Sequence, residues 1–227
     1  MKALVAVALL LPAAVAMAAD TTHFVFQVPP GWTDLSPGAP EENLNELPPE
    51  MRARLHGSGA VFLAGDVAHR GDGFLSNVNA TVAADAATVT LSDLDAAKDQ
   101  IDREVARTAR GGQFVIKDKQ LVDWDGVTVG RLAGELTIGG QTLAEVIFLI
   151  PGDNEHAVLS YTTTPDRLAS LEPVFDAAAR ATKGAKQPKL IWQRILENGG
   201  RGAILGFIGA VIALVVIRRL RARRASA

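Results

Sequence analysis

The residues whose types and spacing best suit chemistry are Asp66, His69 and Asp72, within Asp66-Val67-Ala68-His69-Arg70-Gly71-Asp72. Two carboxylates flank an imidazole at three-residue spacing in a polar, glycine-rich loop. Such a set could ligate a divalent metal and support metal-assisted hydrolysis. A solvated polar loop accounts for the same residues, because no further His or Cys is linked to them by spacing. His23, His56 and His156 stand alone. Gly57-Ser58-Gly59 is not a G-x-S-x-G elbow and precedes a predicted strand where the elbow must follow one. The chain has no P-loop and no G-x-G-x-x-G phosphate cradle. It has no cysteine, hence no thiol nucleophile, thiolate metal site or disulfide. Asp123 and Asp125 flank Trp124, but turn chemistry explains Asp125. Asn79-Ala80-Thr81 spells a glycosylation sequon inside a predicted strand. Trp32 and Tyr161 are the candidates to line a binding groove; the plainer role for Trp32 is to plug the core edge after Pro29-Pro30-Gly31. With no catalytic set, the expectation is a protein that is not an enzyme and carries no cofactor.

The elements that must position these residues follow from periodicity. Residues 22–28 alternate, with Phe24, Phe26 and Val28 on one side, and predict a strand. A short strand follows at 32–35, then a loop over 36–50 rich in Pro, Glu and Asn, with one or two helical turns at 49–55. Strands are expected at 60–64 and 76–83. A helix spans 92–110, opened by Ser92 and Asp95 in capping-box spacing and closed by Gly111-Gly112. Strands at 114–124 and 127–138 join through Asp125-Gly126, a two-residue hairpin signal. Strands at 141–150 and 157–163 complete an antiparallel meander, since such short connections exclude parallel crossovers. Helical structure begins at Pro165, and Pro173 is expected to restart it, so that a last helix runs over 172–182. The fold class is α+β, an antiparallel sheet packed by helices.

The chain ends carry the topology. Residues 1–18 read as a signal peptide: Lys2, an apolar core, and Ala16-Met17-Ala18 as the cleavage site. Residues 183–201 form a basic amphipathic linker with Trp192 as a candidate interfacial anchor. Residues 202–217 lack any charge and span roughly 24 Å as a helix. Arg218 and Arg219 can send their guanidiniums to the headgroups, extending the transmembrane helix to 202–220, with 221–227 a basic cytoplasmic tail. Gly202, Gly206 and Ala210 share one helix face, a spacing that permits a homodimer through the membrane. The stretch from Gly199-Gly200 onward also resembles C-terminal sorting signals of the GlyGly-CTERM type, which are cut within the membrane. Between residues 3 and 182 there are 12 Lys and Arg against 24 Asp and Glu. An acidic outer domain excludes nucleic acid as a natural partner.

The pattern of the outer domain, 20–182, carries a resemblance. FVFQVPPGW at 24–32, SNVNATV at 76–82 before the helix, the Asp125-Gly126 hairpin, and TTTPDRLASLEPVFDAAARAT at 162–182 resemble the PsbP-like superfamily, which includes bacterial periplasmic DcrB-like proteins. The resemblance implies an α/β/α sandwich. It implies a binding or assembly role rather than catalysis, because members include photosystem extrinsic subunits, a small-GTPase-binding import factor and periplasmic proteins. It transfers no functional residue to this chain, and the C-terminal anchor is not a general feature of the superfamily. The expectation is therefore a single-pass protein of a bacterial inner membrane, its domain in the periplasm, in contact with lipid and with a protein partner of the envelope. The alternatives are the hydrolase of the 66–72 loop and a surface protein released by C-terminal processing.

Overall fold

The computed structural model describes residues 23–45, 47, 60–69, 74–84, 88–108, 112–138 and 140–188. The chain divides after Pro188, and Lys189–Ala227 lies outside the described residues, as do the predicted signal peptide and the helical turns at 49–55. Asp72, Trp192, Gly202, Gly206, Ala210, Arg218 and Arg219 are therefore also outside them. Among the described residues no helix is long and apolar enough to cross a membrane.

Seven strands form one antiparallel sheet: β1 (Thr33–Asp34), β2 (Phe62–Gly65), β3 (Asn77–Ala83), β4 (Gln113–Trp124), β5 (Val127–Ile138), β6 (Gln141–Pro151) and β7 (His156–Thr163). Their spatial order is β1-β2-β3-β7-β6-β5-β4. The expected meander is present, and the β4–β5 turn explains itself. Asp125 and Gly126 both have positive φ, 55° and 88°, the requirement of a type I′ turn, and Asp and Gly reach that region most cheaply.

Among the described residues three α-helices accompany the sheet: α1 (Glu41–Asn45), α2 (Leu91–Thr108) and α3 (Pro165–Arg180). α2 buries Leu94, Ile101 and Val105 against Phe114, Leu132, Leu136 and Ile147 on one sheet face. α3 buries Leu171, Phe175 and Ala178 against Val146, Phe148 and Tyr161 on the other. Alternation along β5 and β6 separates the two cores, because successive side chains point to opposite faces. This is the expected helix–sheet–helix sandwich. A smaller cluster of Leu35, Leu47, Leu63 and Leu75 packs with Leu44 of α1.

Four sequence expectations are corrected. The described part of the alternating segment 22–28, residues 23–28, is not a strand but holds one antiparallel bridge, between Val25 and Lys183. Its pattern does serve burial: Phe24 stacks on Phe26, and Phe26 on Phe62. A ladder cannot lengthen there, because Gly184 turns the partner segment at φ 94°. The loop at 36–50 contains α1, anchored by Asn43 Nδ2 donating to the Asp34 carbonyl at 2.9 Å. The cap of α2 lies two residues earlier than Ser92: the backbone N–H of Thr90 donates to Asp93 Oδ2 at 2.7 Å, and the Asp93 N–H returns to Thr90 Oγ1 at 3.3 Å. Pro173 does not restart a helix; α3 runs through it. One missing N–H is tolerated where Leu171 and Phe175 clamp the helix to the sheet on either side.

Close approach of backbone constrains Gly134, Gly152 and Gly184. A Cβ at Gly134 would stand 2.6 Å from the Val115 carbonyl oxygen and 2.9 Å from Phe114 Cζ. Gly134→Ala is expected to cost about 2–3 kcal/mol of unfolding free energy, since backbone cannot yield as a side chain can. A loss under about 0.5 kcal/mol in urea unfolding, the range of an unconstrained surface change, would refute this tight packing.

Candidate functional site

The loop singled out for chemistry is built into an ion-pair network. Asp66 follows β2, and Val67–His69 forms a single 3₁₀ turn. The Asp66 carboxylate is buried; His69 Nδ1 lies 2.9 Å from its Oδ1, and Arg167 Nη2 of α3 donates to its Oδ2 at 2.7 Å. Arg167 also donates to Ser76 Oγ at 3.2 Å, and Ser76 Oγ lies 2.9 Å from Thr163 Oγ1. Burial works to raise the Asp66 pKa, but the hydrogen bonds and charges of Arg167 and His69 outweigh it and hold the carboxyl below its ordinary value. Both carboxylate oxygens are thus engaged. Among the described residues no three His, Cys, Asp or Glu side chains converge as metal ligands.

The two aromatic candidates both pack on Phe175. Trp32 meets Phe175 edge-on at 5.9 Å between centroids, half-buried at the core margin. Tyr161 is fully buried, stacked on Phe175 at 4.6 Å. Burial, then the Asp176 charge, push the Tyr161 hydroxyl pKa up, and among the described residues that hydroxyl has no hydrogen-bond partner. Asn79 of the sequon is buried in β3.

Among the described residues a concave surface lies on the α3 side of the sheet. α3 packs over β6 and β7, and beside it a groove of about 680 Å³ opens over β4 and β5. Asp118, Gln120, Val122 and Trp124 of β4 line one side, and Glu172, Asp176 and Arg180 of α3 the other. Arg131 of β5 forms the floor with Phe148. Its guanidinium is almost wholly buried, 5.9 Å above the Phe148 ring centroid. Arg131 Nε donates to Asp176 Oδ1 at 3.2 Å, Nη1 to Asp118 Oδ2 at 3.3 Å, and Nη2 to Glu172 Oε1. Burial alone would lower the Arg131 pKa, but Glu172 and Asp176 raise it above its ordinary value. Three carboxylates from two elements thus hold one cation over an aromatic floor, and Trp124 tilts against Phe148 at 5.6 Å. Chemically the groove favours a cationic or aromatic guest, through charge and ring faces.

Sequence reasoning singled out none of Asp118, Arg131, Glu172 or Asp176. One signal was present. Val129, Arg131 and Ala133 share a strand face, and an arginine on an otherwise apolar face requires acidic partners. A second polar group lies on the α2 face of the sheet. Asn77, Thr162 and Glu145 stand opposite one another across β3, β7 and β6, all buried. Ser160 Oγ donates to Glu145 Oε1 at 2.5 Å, while among the described residues Asn77 Oδ1 and Thr162 Oγ1 have no hydrogen-bond partner.

No family model matches the chain, and no curated protein does. Among solved structures it is similar to the cyanobacterial PsbP (CyanoP) of Synechocystis sp. PCC 6803, with a TM-score of 0.50 at 16% identity over 71% of this chain and 86% of that one. Weaker likenesses are to LpqN of Mycobacterium tuberculosis, involved in cell envelope biogenesis (TM-score 0.40, 13% identity, 70% of this chain and 81% of that one). A further one is PA94 of Pseudomonas aeruginosa, a protein of unknown function (TM-score 0.38, 16% identity, 48% and 72%). These two carry no argument here. The sheet order, the helices on both faces and the likeness to CyanoP together show a PsbP-like fold.

Proposed function

We propose that the chain is an extracytoplasmic binding or assembly module, without catalytic activity, that is held to a bacterial inner membrane by its C-terminal segment and recognises a protein partner of the envelope. The observation that carries this reading is the groove between β4 and α3, concave and lined by aromatic rings and carboxylates. Its shape and polarity suit a protein side chain, and three of its carboxylates are already committed to a structural cation. The leader at 1–18 and the apolar run at 202–217 support the location.

The test is recovery of the full chain from gently solubilised membranes through a tag in place of Ala227. A stoichiometric membrane partner that is lost on the paired change Trp124→Ala and Glu172→Gln is expected. Recovery of the same partner by that variant would rule out the groove. A tag found only on a short cleaved tail would instead establish the Gly199-Gly200 processing route.

A further inference from the structure

β4 ends the sheet, and among the described residues β5 alone pairs with it. It is 12 residues long, against two for β1 at the opposite edge. Natural edges are blunted by shortness, Pro or bulges, because an open row of N–H and C=O groups invites another strand. β4 carries a register shift between Ile116 and Asp118, and Lys117 and Lys119 beside it are charged side chains of the kind that also blunt edges. Beyond the shift, Asp118–Trp124 pairs with β5 in regular register and contains neither Pro nor Gly.

The hairpin settles which backbone groups are open. In a two-residue I′ turn the closing pair, Trp124 and Val127, is hydrogen-bonded. Alternation then directs the backbone of Asp118, Gln120, Val122 and Trp124 toward β5, and that of Lys119, Leu121 and Asp123 outward. The side chains of the first set face the groove. The open edge and the acidic groove are therefore one continuous surface. Asp118, Glu172 and Asp176 each give Arg131 a single oxygen and remain partly exposed.

We propose that the β4 edge takes up an extended segment of a partner protein as an added strand, whose alternate residues are Lys or Arg and lean back over Asp118 and Glu172. This rests on the binding-module reading above. Backbone pairing at Lys119, Leu121 and Asp123 supplies affinity, and the alternate cations supply selection. A second copy is the poorer occupant. Antiparallel pairing of two β4 edges would set two acidic walls on one face of the joined sheet, and like charges there repel.

The experiment is fluorescence anisotropy of a labelled seven-residue peptide alternating Lys and Thr, titrated with the full chain in detergent at low salt. Binding is expected to weaken about tenfold or more when Lys is replaced by Glu, when Lys residues are grouped in a block, or when alternate peptide nitrogens are methylated. Leu121→Pro removes one outward N–H without touching the β5 ladder, and should weaken binding similarly. Equal binding of the methylated and unmethylated peptides by the unaltered chain would overturn the proposal, whatever Leu121→Pro does to folding. So would a concentration-dependent dimer, with no peptide bound, that Leu121→Pro abolishes and Gly206→Leu leaves intact, which assigns the edge to a second copy. A membrane partner still recovered by the Leu121→Pro chain leaves the module reading intact and overturns the edge; no partner and no peptide binding ends both.

Discussion

Glu145→Gln is expected to make the protein more stable at pH 8 than the unaltered chain, by about 3 kcal/mol relative to the same comparison at acid pH. Burial pushes the Glu145 carboxyl up to about 7 from an ordinary 4.5, and the single hydrogen bond from Ser160 offsets only part of that burial. The folded chain therefore holds a proton that the unfolded chain has already released. A raised folded-state pKa contributes stability that is complete below 4.5 and lost as pH rises through about 7. Glutamine keeps the carbonyl that accepts from Ser160 and never ionises. Its advantage should be small at pH 4.5 and full at pH 8. Urea unfolding of both chains at the two pH values reads the difference directly, and all other titrating groups cancel. A stability difference that does not change with pH would show that Glu145 does not titrate in this window.

Arg167→Ala is the largest loss expected from a single polar change, about 3–5 kcal/mol at pH 7. The magnitude follows from what stays behind. Asp66 is buried, and without the guanidinium its Oδ2 would lose the donor at 2.7 Å. Ser76 would lose a donor as well. In the unaltered chain the lowered Asp66 pKa contributes stability above the ordinary value of 3.8, lost as pH falls through the folded value. In the variant only His69 opposes the burial of Asp66, so the carboxyl takes up a proton more readily and the deficit should shrink toward acid pH. Adding Asp66→Asn should recover part of the loss by removing the stranded charge. A deficit under about 1 kcal/mol at pH 7 would place the pair among exposed, weakly contributing bridges.

Local chemistry made most of the sheet legible. Asp125-Gly126 and the alternation on either side determined β4 and β5, and short connections set the rest of the meander. Where periodicity was read without a partner it misled. Phe24, Phe26 and Val28 alternate because they pack on Phe62 and its neighbours, and alternation says nothing about who supplies hydrogen bonds. Pro173 misled in the opposite direction, because tertiary clamping outweighed a local breaker. The site was less legible than the fold. Asp66 and His69 are together as their spacing suggests, but Arg167, 101 residues from Asp66, decides what the carboxylate does. The groove joins β4, β5 and α3, and no local pattern announces a cluster drawn from Asp118, Arg131 and Asp176. Glu145 was detectable in principle, as the one charge within the run LAEVIFLI.

The sheet order also dictates a sequence of events in time. β4 to β7 are joined by short turns and can pair as each emerges, whereas β3 must wait for β7, a strand whose register partner for Asn77 is Thr162. Such distant pairing is slow, because chain entropy is lost before contacts repay it. A chain threaded across a membrane from its N-terminus could pair β1, β2 and β3 with one another but would leave the β3 edge open until β7 had followed. Until then Phe62, Val78 and Ala80 would be uncovered, and a holding chaperone on the far side would find its binding sequence there.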